Sequence, residues 1–564
     1  MRTVDGGRVR YHAKLSVLAG LAVMAAVAVG CGTSGQTGGR DRGEASTDTA
    51  VRLNLGLVES DDAPQLGGKV VYGLNAETNG WNPATNNWAP AGLQVMRTMF
   101  DTLTAFDAES QIQPFLAESM EHNADYTDWK FTLRPGVVLH NGKPVTADVV
   151  ARNQNTMKTS AVTSQAYRYV DSITAAGPDV VEFHLAQPFP LLPMIFATQI
   201  GVVSDPDWLD SNDGIHPVGS GPFVMDRWEI GNKLVVKKNP NYWQADGRGT
   251  RYPYLDQVEF RVITDNASRA NALEAGDVDV IEAADPQTIG HFQQAVGDGK
   301  FQVFNNSKGE QAEVFIQLNN LAAPFDDPNA RRALAFATDK QAIIDLQGGL
   351  FEPANGPFSP RSPWYAEPGY PQHDPIKAKD LVDKVKAEHG SFSFKIQGVA
   401  EASNQQLLQA LQQQWQEVGI DVQIDTVEQA KLVISVITGS YQATQWEQFD
   451  SANPINELVW WEPDNVTQPP AFSLNFARHA SPALGVAMKE WRTTADPAQR
   501  KAHVEAVQKN LATDVPYVWL YHAQFAIVAT TKAVNVVNYK LPSGPTGLDL
   551  HMEAHPLYQV WLKK

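Results

Sequence analysis

Cysteine is nearly absent: Cys31 is the only one in 564 residues. That excludes an intrachain disulfide and any cysteine-built metal site, so packing must hold the fold. Basic charge is also scarce, with 45 Lys and Arg against 63 Asp and Glu and a formal net charge of −18. Such a surface repels phosphate backbones and argues against a nucleic-acid partner. Signatures of catalysis are missing too: there is no GxSxG elbow, no phosphate-binding GxxxxGK and no HExxH. His551 and His555 stand four apart in HMEAH, but Pro556 follows at once and no third ligand is nearby, so neither a metal nor another cofactor is expected. What is present is ordinary globular material, 43% hydrophobic and 19% charged, long enough for roughly three or four average domains.

The first thirty residues differ from the rest. Arg2, Arg8, Arg10 and Lys14 precede an uncharged run from Leu15 to Gly30, and Cys31 follows. The run is the length of an export-signal core and short for a membrane span. With Ala28 and Gly30 just before it, Cys31 reads as a lipidation cysteine and residues 1–30 as a lipoprotein signal peptide. Its removal takes away four basic residues and one acidic one, moving the net charge to −21. Residues 31–66, rich in Gly, Ser, Thr and Asp with one short apolar patch, read as a flexible tether, so folding is expected to begin near Gly68.

Beyond the tether, Lys69 to Leu74 reads as a first strand, and Leu93, Met96, Met99, Phe100 and Leu103 fall on one helical face. Trp129, Phe131 and Leu133 alternate as a strand, Arg134-Pro135-Gly136 turns, and Thr146 can cap a helix. The stretch PVGSGPFVMDRWEIGNKLVVKKNPNYW, Pro217 to Trp243, reads as a Gly-rich turn and a hairpin closed at Gly231-Asn232. In DDPNARRALAFATDKQAII, Asp327 can cap a helix, Pro328 suits its first turn and Gly348-Gly349 stop it. Phe392, Phe394 and Ile396 form a strand, Ser403 opens a helix with Leu407, Leu408, Leu411, Trp415 and Val418 on one face, and Ile420, Val422 and Ile424 return as a strand. That βαβ unit implies a partly parallel sheet. Pro497 begins another helix, and VPYVWLYH, residues 515–522, reads as a buried strand.

Several of these stretches, taken in order, resemble a known family. "GSGPF, hairpin, NPNYW", "LAES, strand, LRPGV, NGKPVTADVV", the turn LEAGDVDV from Leu273 to Val280, and the segment from VFIQLNN to ATDKQAII are similar to the extracellular solute-binding proteins of the oligopeptide and dipeptide type, family 5. The resemblance implies an α/β fold of the periplasmic-binding-protein class II kind, with two ligand-gripping lobes of mixed sheets joined by a hinge and an extra inserted lobe. By analogy, lobe I comprises residues 67–90, 215–320 and 531–564, the inserted lobe II residues 91–214, and lobe III residues 321–530. It further implies a monomeric, non-catalytic receptor outside the cytoplasm, held to the cell membrane through Cys31. Such a receptor hands short peptides to an ABC permease driven by ATPase subunits.

In that family an acidic side chain answers the buried ammonium of the peptide, since an unpaired charge there costs several kcal/mol. The matching Asp lies four residues before a Pro and after a Trp, which here indicates Asp450, before Pro454 and after Trp446. A loop Glu six residues before an Asn-Pro proline implies Glu77, with Asn79 along the peptide edge. Trp81, Trp88, Trp446, Trp460 and Trp461 are candidate pocket walls, and Tyr441 and Gln445 share the predicted strand edge of Trp446. Two other ligand readings stand beside the peptide one. A sugar or other non-peptide solute would suit a cleft of Trp, Asn and Gln, and an extracytoplasmic hydrolase would need a nucleophile and a base side by side.

Overall fold

The strand Lys69–Leu74 lies at the centre of an eight-stranded mixed sheet, because its residues from Val70 on are buried on both faces. It pairs in parallel with Gln257–Val262 and Val280–Ala283. The hairpin Phe223–Glu229 and Lys233–Lys238 closes one edge, with a bulge at Val235/Val236 and Gly231 in the left-handed region at φ +77. In this computed structural model the described residues are 54–60, 62–211, 213–305, 312–448, 454, 458–550 and 554–564. Residues 1–30, expected as a signal peptide, together with Cys31, Asp450 and His551, lie outside them. Among the described residues no helix is long and apolar enough to cross a membrane.

Three sheets carry the architecture. A six-stranded sheet runs Glu352–Pro353, Tyr517–Ala523, Ala312–Leu318, Ala443–Gln448, Ser393–Gly398, Asp421–Thr426. Ser393–Gly398 and Asp421–Thr426 are parallel across the helix Ala402–Glu417, as the alternating apolar pattern required, and Gly419 after that helix sits at φ +92. A four-stranded antiparallel sheet, Ala117–His122, Asp128–Leu133, Val180–Leu185 and Val170–Ala175, packs beneath the helix Ala147–Thr159. Thr146 caps that helix by accepting from the Val149 amide.

Several elements differ from the sequence expectation. The helix expected from Leu93 begins at Pro90 and ends at Met99; Phe100 is extended, and Leu103 is buried outside the helix. Proline at the first position fixes the start, which the apolar spacing alone missed. The segment after Asp327 forms two helices, Pro328–Ala337 and Lys340–Leu346, because Asp339 caps the second by accepting from Ala342. The apolar patch in the tether is structural: Asn54–Leu55 pairs with Phe301–Asn305, and the Val58 amide donates to Gln302 Oε1.

The chain passes between the two large sheets at places the sequence did not mark. Phe301–Asn305 and Ala526–Thr530 pair in the eight-stranded sheet, while Ala312–Leu318 and Tyr517–Ala523 pair in the six-stranded one. The chain therefore passes twice between the two sheets, and Gln524 accepts from Asn305, 3.1 Å away, where the strands of the two sheets meet. The first passage falls in the polar stretch NNSKGEQ, residues 305–311, and the second beside Gln524, both ahead of the bounds of 320 and 530 expected for lobes I and III.

Glu282, on the strand Val280–Ala283, is buried, and burial pushes its carboxyl up to about 7, with Arg269 and the Asn75 amide opposing. A carboxyl raised in the folded state holds its proton there while the unfolded chain has lost it. Its contribution is thus complete below about pH 4.5 and is lost as pH rises through 7. The stability of the wild type relative to Glu282→Gln is expected to fall by roughly 3 kcal/mol between pH 4.5 and 8. Urea unfolding midpoints across that range measure it, and a pH-independent gap would refute the assignment.

Candidate functional site

Aromatic side chains and a few charges from three separate parts of the chain enclose a cavity of about 250 Å³. The strand Ala443–Gln448 supplies Trp446, Glu447 and Gln448, and the helix Leu458–Trp461 supplies Trp460. The segment around the short helix Ser164–Tyr167 supplies Arg168 and Tyr169, and Trp88 with Leu93 closes the wall from the first loop and helix. Trp88 is held in place by donating Nε1 to the Gly80 carbonyl at 2.9 Å and stacking on Phe100. Phe476 locks the other two, Trp446 meeting it edge-on at 5.6 Å and Trp460 lying 4.6 Å from it. Rings fixed this way give contact area with little rotamer entropy to lose.

The charges are arranged around those rings. Glu462 and Arg492, with side chains 8% and 7% exposed, form a 2.5 Å ion pair in the wall. The Arg492 guanidinium lies 4.6 Å over the Tyr169 ring, tying the segment after the short helix Ser164–Tyr167 to the helix Pro482–Thr493. Burial raises the Glu462 carboxyl, and Arg492 and Arg168 pull it back down. Arg168 is exposed, sits 5.6 Å over the same ring, and has no ion pair among the described residues. Glu447 is half-buried, and burial followed by repulsion from Glu401 pushes its carboxyl up to about 7.

The residues singled out from the sequence divide into two groups. Trp88, Trp446 and Trp460 come together on the cavity, whereas Gln445 points to the other face of its strand and accepts from Asn404. Trp81 is buried against Trp88 and Trp228 and shares a cleft of about 10 Å³ with Glu77. The Glu77 carboxylate accepts from Trp228 Nε1 at 2.5 Å and from the Gly231 amide at 2.7 Å, so it staples the first loop to the hairpin. Asn79 is exposed and does not line the cavity. Tyr441 precedes the strand rather than lying on it, and its buried hydroxyl donates to the Phe476 carbonyl. Trp461 packs edge-on against Phe358 in the core.

Sequence reasoning missed Glu447, Arg168, Tyr169, Glu462 and Arg492. Only Glu447 carried a signal, being next to Trp446 at the end of a strand. The described lining has no histidine, cysteine or serine, and its hydroxyls are Thr163, Thr198 and Tyr169. Asp327, Glu388 and His389 bring three possible metal-ligand atoms within 4.8 Å of one another, but none lines the cavity and Asp327 is occupied capping a helix.

Residues 111–479 match the family described as bacterial extracellular solute-binding proteins, family 5 middle. The glutathione-binding protein GsiB of Pectobacterium atrosepticum is 26% identical over 449 residues, covering 76% of this chain and 83% of that protein. In fold the chain is similar to the periplasmic binding protein DppA of Helicobacter pylori, solved with the peptide STSA. That match has a TM-score of 0.74 and 22% identity, and covers 89% of this chain and 99% of the other. It is equally similar to the Agrobacterium binding protein AgaA, solved with agropinic acid, at a TM-score of 0.74 and 22% identity over 88% and 99% of the two chains.

Proposed function

The chain belongs to the bacterial extracellular solute-binding proteins of family 5, the receptor components of ABC importers, and from that membership we propose that it captures short peptides in the aromatic cavity and delivers them to a membrane permease. The observation that carries this reading is the strand Ala443–Gln448, whose end puts Glu447 and Gln448 on the cavity wall while Arg168 faces the same space. A zwitterionic guest needs an acid for its ammonium and a base for its carboxylate, because neither charge is tolerated unpaired away from water. Asp450, two residues beyond Gln448 in sequence, is the proposed amine anchor, and Trp88, Trp446 and Trp460 are the proposed pocket walls. The eight- and six-stranded sheets are the proposed gripping lobes, and their crossing segments the hinge. A lipid at Cys31 and a monomeric state complete the proposal.

Mass spectrometry of ligand released from the purified protein tests it, with short peptides as the expected result. Calorimetry with a peptide so identified is then expected to show at least about a thirtyfold loss of affinity in Asp450→Ala, the scale for truncating one partner of a buried charge pair. Unchanged affinity would remove Asp450 from the role. A polyhydroxylated, non-peptide solute is the second reading, favoured by the amides of Asn87, Gln165 and Gln448 beside the tryptophans. Release of such a solute would replace the peptide reading.

A further inference from the structure

A second cavity, of about 80 Å³, lies on the far side of Glu447, which among the described residues is the one that lines both it and the larger cavity. Its wall carries the carboxyls of Glu401 and Glu447, the amides of Gln347, Asn404 and Gln445, the Ser403 hydroxyl and the rings of Phe351 and Tyr521, and none of its described lining residues is Lys, Arg or His. The two rings are stacked on one another at 4.4 Å and 3°, each covering one face of the other, and an aromatic face left uncovered attracts a cation. Asn404 is only 8% exposed, and its Nδ2 donates to Gln445 Oε1 at 2.9 Å. That leaves Asn404 Oδ1 buried and without a partner among the described residues, an acceptor that costs stability unless a donor reaches it. Glu447 likewise has no hydrogen bond or ion pair among the described residues, and the charge nearest it in effect is the like charge of Glu401. Burial of the Tyr521 hydroxyl, and then Glu447, hold that hydroxyl above its ordinary value, which places Glu447 within electrostatic reach of the ring.

Acceptors, two like charges and a stacked ring pair, with no cationic side chain among the described lining residues, describe a half-site. The missing half is a group with several N–H donors and a positive charge. The volume suits one such head, being the space of two or three waters. We propose that this second cavity is a subsite for an organic cation, the guanidinium or alkylammonium end of a basic side chain, held between the Glu401 and Glu447 carboxylates with Asn404 Oδ1 as a further acceptor. The inference deepens the peptide reading and rests on it for the identity of the rest of the guest: peptides with a Lys or Arg side chain are the preferred class.

The test is calorimetry with the three positional isomers of a lysyl-dialanine tripeptide and their norleucine counterparts, which keep the alkyl chain and lose the charge. In the wild type at least one lysine isomer is expected to bind tenfold or more tightly than its norleucine partner. That ratio is expected to fall towards one in Glu401→Gln and in Glu447→Gln. Because the readout is a ratio within each variant, a general loss of affinity does not imitate it. Agmatine, a guanidinium-bearing amine that is not a peptide, is titrated separately. Equal binding of lysine and norleucine peptides, or a preference that survives both substitutions, overturns the subsite and leaves the peptide reading intact. Binding of agmatine, dependent on Glu401, with no binding of any peptide, supports the subsite and overturns the peptide reading. If neither probe class binds, the subsite falls. Should both variants fail to fold, the wild-type ratio alone decides.

Discussion

Gly221→Ala is expected to destabilise the protein by at least about 3 kcal/mol, more than an ordinary core truncation of one methyl group. A Cβ at Gly221 would lie 2.4 Å from the Met99 carbonyl carbon, 2.5 Å from the Phe100 nitrogen and 2.7 Å from the Met99 oxygen. All three are backbone atoms, so no rotamer change relieves the clash. The close approach exists because the Gly221 amide donates to the Met99 carbonyl at 3.0 Å, ending the helix Pro90–Met99 against the Gly-rich turn. Just beyond, buried Asp101 gathers the rest of the signature stretch: Ser220 Oγ, Tyr242 OH and Trp243 Nε1 all donate to its carboxylate at 3.0–3.1 Å. Pushing the turn away from Met99 would break those three bonds as well, and buried donors left unmade cost ~1–3 kcal/mol each. Chemical denaturation of the variant beside Gly136→Ala separates steric from conformational cost. Gly136 has a positive φ of +77 but nothing within 4 Å of its would-be Cβ, so that change should cost about 1 kcal/mol. Equal losses in the two variants would mean that the turn is not pinned to the helix end.

That anchoring explains which parts of the fold were legible. GSGPF and NPNYW stood out in the sequence because each local need was visible there: glycine where backbones touch, a hairpin turn, a proline break. Their common purpose, three donors for one acid more than a hundred residues earlier, has no local trace. The βαβ unit was legible because its apolar period of 3.6 sits between two periods of 2. The crossing between sheets was not, since Ala312–Leu318 is buried along its whole length and reads the same in either sheet.

The candidate site was legible only where tryptophan marked it. Trp88 and Trp446 line the cavity while Trp81 and Trp461 are core, yet all four are buried and look alike in sequence. Glu77 fits the spacing of a ligand-facing acid, but its carboxylate is committed to the hairpin through Trp228 and Gly231. Arg168 and Arg492 stand more than three hundred residues apart and meet over one ring, Tyr169. Only the three-dimensional arrangement of the segment around Arg168 against the helix Pro482–Thr493 could assemble that charge cluster.

Arg492→Met is the other change with a large expected effect, a loss of ~3–5 kcal/mol at pH 8, because it strands Glu462 in the cavity wall without its partner. The pair is short and nearly dry, so the attraction is strong and so is the desolvation it offsets. With Arg492 gone, burial, already the largest influence raising the Glu462 carboxyl, is opposed only by exposed Arg168 and, more weakly, by the Asp464 backbone amide. The carboxyl of the folded variant then titrates higher still, and the sign of the pH dependence follows. A group raised in the folded state favours folding below its unfolded value and loses that contribution as pH rises. The deficit of Arg492→Met relative to the wild type is therefore expected to be small at pH 5 and full at pH 8. Glu462→Gln in the Arg492→Met background removes the stranded charge and should recover most of the loss, giving a double-mutant coupling of a few kcal/mol. Unfolding midpoints of the four proteins at the two pH values measure both. Additive single losses, or a deficit that does not change with pH, would show that Glu462 and Arg492 are neighbours in the wall without acting as a pair.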